Sequence, residues 1–148
     1  MAATIFNEGK KRLFNGGVDL DASDLRVLLV KDTYVVDPDQ SALDDGTSSD
    51  IASHEVTASG YARQTLANKV VSVDLTNNFS YFDADDVTFP SMAVGQSIGG
   101  VVLFLHTGSD ATAVPLVFYP KSPAQPTAGS ALSVQWPTPA NGALLKGV

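Results

Sequence analysis

Lys69–Phe82 constrains the fold of this chain more than any other segment. Lys69-Val70-Val71-Ser72-Val73-Asp74-Leu75 is β-branched and largely alternating, Thr76-Asn77-Asn78 supplies turn chemistry, and Phe79-Ser80-Tyr81-Phe82 begins a return strand. This pattern reads as a β-hairpin. Further strand signals flank it. Leu25-Arg26-Val27-Leu28-Leu29-Val30 is a near-continuous apolar run, expected for a central strand covered on both faces. Tyr34-Val35-Val36 extends that region or starts the next loop, Tyr61–Leu66 alternates loosely, and Val87-Thr88-Phe89 is stopped by Pro90. Gly99–Thr107 is a second strongly apolar strand, Gly108-Ser109-Asp110 a turn, and Val114–Tyr119 its antiparallel partner. Pro120–Gly129 carries three prolines and reads as a stiff surface connection. Ala131–Trp136 is a last alternating strand with Leu132, Val134 and Trp136 on one face.

About eight short strands at this spacing, with no βαβ alternation and no internal repeat, predict an all-β protein. The expected architecture is an antiparallel, jelly-roll-like β-sandwich with a short N-terminal helix. The 148 residues form one domain, 1–148, long enough for a proper core, and the 44 % apolar fraction is that of a globular protein. No cysteine is present, which excludes disulfides, thiolate metal sites and cysteine nucleophiles. The net charge of −7 argues against a nucleic-acid surface, which needs clustered cations. The acid is nearly all aspartate, only Glu8 and Glu55 being glutamates, and aspartate favours turns and caps. Met1–Glu8 lacks the basic and apolar regions of a secretory signal, and the longest apolar run, Val101–Leu105, is far short of a membrane span. A protein used in a soluble state or a soluble assembly is expected, with no membrane partner.

Residues 1–17 read as an N-terminal helix or arm. Over Ala3–Phe14, Ile5, Phe6, Leu13 and Phe14 share an apolar stripe, Thr4 or Asn7 caps the start, and Asn15-Gly16-Gly17 stops the helix. Lys10, Lys11 and Arg12 sit in its last turn, where cations complement the helix dipole or dock on an acidic partner. Asp37–Ser53 is a long acidic loop with five aspartates. A connection of that length is a functional loop or an arm ordered against a neighbour. Residues 137–148 form a C-terminal tail carrying Leu144, Leu145 and Val148. Those three and the sole tryptophan, Trp136, are core residues or interface candidates.

Several motifs resemble catalytic or binding signatures without their context. Gly95-Gln96-Ser97-Ile98-Gly99 matches the G-x-S-x-G nucleophile elbow, but loop precedes the serine and strand follows it. His106 also precedes Asp110, the reverse of the order that elbow needs. Asp19-x-Asp21-x-Ser23, Asp37-x-Asp39-x-Ser41 and Asp83-x-Asp85 lack the glycine or the terminal acid of an EF-hand loop. The aspartates are read instead as caps and Asx-turns, with a calcium site built from separate loops as the alternative. His54 and His106 are far apart and have no second ligand at helical spacing. Asp85 and Asp86 are adjacent, so in a strand they face opposite sides. No catalytic residue, metal or cofactor is expected.

Four phrases carry a resemblance. Gly-Tyr-Ala-Arg-Gln-Thr-Leu-Ala-Asn-Lys, residues 60–69, is followed by Phe-Asp-Ala-Asp-Asp-Val-Thr-Phe, residues 82–89. Thr-Gly-Ser-Asp-Ala-Thr, residues 107–112, and Val-Gln-Trp, residues 134–136, come later. In this order they resemble a small family of tailed-bacteriophage virion proteins, and the similarity runs from about Leu25 to Trp136. The resemblance implies a non-enzymatic structural component of the virion, assembled in the host bacterial cytoplasm. Together with the two termini it points to a capsid cement or decoration subunit that binds the major capsid protein or other virion proteins. It would work as a homodimer or homotrimer. A neck, collar, tail or fibre-base component is the alternative within the virion. A carbohydrate-binding host-attachment module, with Tyr34, Tyr61, Tyr81 and Tyr119 as groove aromatics, is the alternative of another class.

Overall fold

The apolar run at Leu25–Val30 is a strand, and it lies next to the middle of the largest sheet. A computed structural model of the chain describes residues 3–147. In chain order its elements are β1 Thr4–Ile5, α1 Asn7–Phe14, β2 Leu25–Lys31, α2 Ile51–His54, β3 Gln64–Thr65, β4 Val70–Asp74 and β5 Phe79–Asp83. They continue with β6 Val87–Phe89, β7 Ser97–Leu105, β8 Val114–Pro126, β9 Leu132–Val134, a 3-10 turn at Pro139–Asn141, and β10 Leu145–Gly147. Three sheets result, in the orders β1-β8-β7-β2-β3, β10-β5-β4 and β6-β9. All of their ladders are antiparallel. The fold is therefore mostly β, with ten strands among the described residues rather than about eight. The additional ones are very short pairings that leave little periodicity in the sequence.

The register explains why β2 and β7 lack polar alternation. Directly opposed residues share a sheet face. Leu28 opposes Val102, which opposes Phe118, and these side chains belong to a cluster with Phe6, Tyr34, Leu43 and Ile51. Val27 opposes Leu103, and Leu29 opposes Val101. These face a second, larger cluster to which the small sheets contribute Phe82, Val87 and Phe89. Both faces are covered, so a continuous apolar run is what the position requires.

Two irregularities shape β8. Leu103 pairs with Val117 and Phe104 with Pro115, which leaves Leu116 as an extra residue. Its carbonyl accepts from the Phe6 amide at 3.0 Å. At the other end Ile98 pairs with Gln125 and Gly100 with Pro120, so Lys121–Ala124 bulge outward. The proline-rich segment is thus not a surface connection as expected but the second half of a thirteen-residue strand. β1 covers β8 only at Val117 and Phe118, so the proline-bearing half has a strand on one side alone, an edge position where proline is tolerated. Gly99 and Gly100 permit the crossing. A Cβ on Gly99 would lie 2.6 Å from the Asp32 Cα, and one on Gly100 would lie 2.6 Å from the Tyr119 carbonyl oxygen.

The N-terminal helix is shorter than the Ala3–Phe14 expected. Thr4 and Ile5 pair with Phe118 and Val117. The helix begins at Asn7, after Phe6, with no side-chain cap from Thr4 or Asn7. Burial decides this: Phe6 is fully buried and pins the chain in extended form before the helix starts. Gly9 then lets the helix approach Leu116 closely, since a Cβ there would meet the Leu116 Cα at 3.0 Å. The expected stripe is broken at Phe14, which is 89 % exposed. The stop at Asn15-Gly16-Gly17 is present, with Gly17 donating to the Arg12 carbonyl at 2.8 Å.

Asp37–Ser53 folds back on its own chain. Leu43 and Ile51 are fully buried. Leu43 donates to the Ala113 carbonyl, Asp44 to the Asp110 carbonyl, and Ala52 to the Leu43 carbonyl. The segment covers the Leu28–Val102–Phe118 face of the sheet. Two apolar residues among many polar ones suffice to anchor it, which is too sparse to register as periodicity. Its aspartates act as turn formers: Asp37, Asp44 and Asp45 accept from the amides of Asp39, Gly46 and Thr47. Asp50 caps α2 by accepting from the Ser53 amide at 2.7 Å. Burial is the largest single effect and pushes the Asp50 carboxyl up, but hydrogen bonds from Ser53, with smaller contributions from Asp44 and His54, together bring the net direction down.

Candidate functional site

The four phrases that lie far apart in sequence come together in two polar clusters. Tyr61 and Arg63, on the segment entering β3, meet Glu55 and Asp110. The Arg63 guanidinium donates Nε to Glu55 Oε1 at 2.8 Å and Nη2 to Glu55 Oε2 at 2.6 Å. It also donates Nη1 and Nη2 to the two Asp110 oxygens at 2.7 and 2.8 Å. Tyr61 donates its hydroxyl to Glu55 at 2.7 Å and accepts from the Leu29 amide at 3.1 Å. The guanidinium lies 5.3 Å from the Phe104 ring centre. One cation thus joins the loop before β3, the turn before β8 and the face of β7. The pairing holds the Asp110 carboxyl below the usual aspartate range, against the opposing effect of its partial burial. Burial, then the neighbouring Glu55 charge, pushes the Tyr61 hydroxyl far above its ordinary value.

The second cluster joins the other phrases. Asn68 donates Nδ2 to Asp85 Oδ2 at 2.6 Å. Trp136 donates its amide to Asp86 Oδ1 at 2.8 Å and its indole Nε1 to the Asp85 carbonyl at 3.0 Å. The indole sits 5.4 Å from the Tyr119 ring, and the Tyr119 hydroxyl donates to the Leu144 carbonyl at 2.7 Å. Lys69 closes the same region by donating to the Ser23 carbonyl. Beside this cluster a groove of about 330 Å³ runs between Trp136, Tyr119, Ile98, Lys121 and Gln125.

The candidate interface residues are scattered. Lys11 and Arg12 pair with Glu8 at 3.2 and 3.1 Å, and Lys10 donates to Asn7. Hydrogen bonds from Lys11 and Arg12 hold the Glu8 carboxyl below its usual range. Leu144 is 3 % exposed and packs in its own chain's larger cluster, the first of its two readings as core residue or interface candidate. Leu145 is half-buried in β10, opposite Phe82, and Trp136 is half-buried as described. Val148 lies outside the described residues.

Ser97 opens β7, and its carbonyl accepts from the Asp32 amide. His54 turns its Nδ1 to the Asp50 carbonyl, and His106 packs against Phe104. Asp85 and Asp86 lie between β5 and β6 rather than in a strand, and each has its own partner. Among the described residues no group of three histidine or acidic side chains converges to hold a metal ion, and no helix is long and apolar enough to cross a membrane.

What sequence reasoning did not anticipate is the exposed edge of the hairpin. The outer strand β4 leaves Val70, Val71 and Val73 at 44, 48 and 59 % exposure, with Leu75 at 82 % beyond it. The alternating valines mark a hairpin strand, and only the strand order reveals that β4 is an outer edge. Compared with family models, with curated proteins and with solved structures, the chain finds no match.

Proposed function

We propose that this chain is a non-enzymatic structural subunit of a tailed-bacteriophage virion, most specifically a cement or decoration subunit of the head shell. The observation that carries the reading is where the family-like phrases fall. Tyr61, Arg63, Leu66, Asn68, Lys69, Asp85, Asp110 and Trp136 all belong to those phrases, and each is a buried or hydrogen-bonded tie between distant segments. These ties alternate with exposed positions of the same phrases, such as Thr65, Ala67 and Gln135, and cross-links of this kind fit a subunit whose task is mechanical. The small sheets packed over the five-stranded one support the finer description of a jelly-roll-like β-sandwich.

In such a role the subunit sits across junctions between shell proteins and copies of itself, and many modest contacts sum to high avidity. A carbohydrate-binding role draws less support. Tyr34 is buried with its hydroxyl on Gln40, and Tyr61 donates its hydroxyl to Glu55, which leaves Tyr119 alone of these three beside the groove at Trp136, with its hydroxyl already donated to the Leu144 carbonyl. The test is addition of the purified protein to head shells assembled from the encoding phage's major shell protein alone. Saturable binding and a higher shell disruption temperature are expected. Shells that bind none of it would remove the cement reading.

A further inference from the structure

We propose that strand β4 is a self-association edge, through which two copies of this chain pair antiparallel about a two-fold axis at Ser72. The other edges of the described sheets are blunted. β1 and β3 are two residues long, while β6, β9 and β10 are three. The open length of β8 carries Pro120, Pro123 and Pro126, and prolines prevent edge pairing. Beyond β3, β2 is capped by the Val30–Glu55 bridge and by the Val56 amide on the Leu29 carbonyl. β4 alone offers five consecutive residues, with no backbone partner on its outer side among the described residues. Its exposed side chains are valines, not the lysines or prolines that usually guard an edge.

The occupant follows from the strand's own sequence. A two-fold axis normal to the sheet keeps each copy's faces aligned, so a residue meets one an even number of positions away. With the axis at Ser72, Val71 of one copy faces Val73 of the other, twice. Ser72 then faces Ser72, Val70 faces Asp74, and Lys69 faces Leu75. The two central valine pairs are apolar on both sides, and no like charges oppose. Shifting the axis to Asp74 would set two carboxylates against each other. An edge this short buries less than the area of a tight dimer, so the association is weak in solution and strengthened where copies are held side by side. It does not depend on where in a particle the protein sits, so it fails separately from the cement reading.

The test uses the full chain. Sedimentation velocity over three decades of concentration is expected to show monomer passing to dimer. Val73→Lys should move the midpoint about tenfold or more towards higher concentration, with an unchanged circular dichroism spectrum. Because the chain has no cysteine, Ser72→Cys supplies a single thiol. Facing Cα atoms in either kind of antiparallel pair lie within disulfide range, so mild oxidation should give a covalent dimer. Ser109→Cys, exposed on the turn before β8, should not. A chain that stays monomeric throughout, a dimer untouched by Val73→Lys, or Ser72→Cys crosslinking no faster than Ser109→Cys would each overturn the proposal.

Discussion

Arg63 and Asp110, 47 residues apart in the chain, are joined by two hydrogen bonds of 2.7 and 2.8 Å. The same guanidinium grips Glu55, so a single cation bridges two carboxylates at a junction of three segments. Side-chain exposures of 25 % for Arg63 and 14 % for Glu55 place the pair in a partly desolvated setting, where removing one partner costs more than the pair is worth as a whole.

Arg63→Met is therefore expected to lower unfolding stability by about 2–4 kcal/mol, because it leaves two carboxylates facing each other without a cation. Arg63→Lys should recover less than half of that, since an ammonium does not match two carboxylates bidentately. Urea unfolding of Arg63→Met, Asp110→Asn and the double variant measures the coupling. Additive losses would show that the two residues do not act together.

Acid should weaken the fold through Asp110 and Asp50. Both carboxyls have folded-state values below the ordinary 3.8. A lowered value means the unfolded chain binds the proton more readily, so the stabilisation is complete above pH 3.8 and is lost as the pH falls through the lowered value. Asp110→Asn should flatten the drop in melting temperature below pH 4.

Alkali acts through the tyrosines with the opposite sign. Tyr34, Tyr61 and Tyr119 are raised well above the ordinary 10.0 because burial disfavours the phenolate. The unfolded chain therefore loses these protons first, and stability falls as the pH rises past 10. In a Tyr81→Phe variant, which keeps only these three tyrosines, tyrosinate absorbance should rise together with loss of the circular dichroism signal, not ahead of it.

Gly99→Ala should destabilise by more than about 2 kcal/mol, as the new methyl meets backbone atoms of Lys31 and Asp32 that have no rotamer to change. Ala in place of Gly17 meets flexible side-chain ends first and should cost less. Thermal melts of the two variants rank them.

Trp136→Phe removes the indole donor to the Asp85 carbonyl while keeping an aromatic ring against Tyr119. A loss of about 1 kcal/mol is expected. Denaturant titration followed by far-ultraviolet circular dichroism checks it, since this variant has no tryptophan left to report.

Much of the β framework was legible because local chemistry set it. The hairpin turn at Thr76–Asn78, the apolar runs of β2 and β7 and the turn at Gly108–Asp110 all appear where their residues placed them. Elements governed by distant partners were not legible. Phe6 reads as part of a helix stripe, yet it is held extended by the Leu116 carbonyl. Pro120–Pro126 reads as a connection, yet Ser97 and Ile98 pair with it across a bulge. The Arg63 clamp draws Glu55, Tyr61 and Asp110 from separate loops, and no spacing rule links those positions. Leu144 reads equally as a core or an interface residue, and only the β10–β5 pairing beside it shows that its own core receives it.

The proposed virion role is tested most directly by the copy number of this chain in purified phage particles, by quantitative mass spectrometry against the major shell protein. A number comparable to the shell protein is predicted for a subunit that covers the lattice. A number many-fold smaller would move the protein to the neck, tail or fibres, and its absence from the particle would contradict the structural role itself.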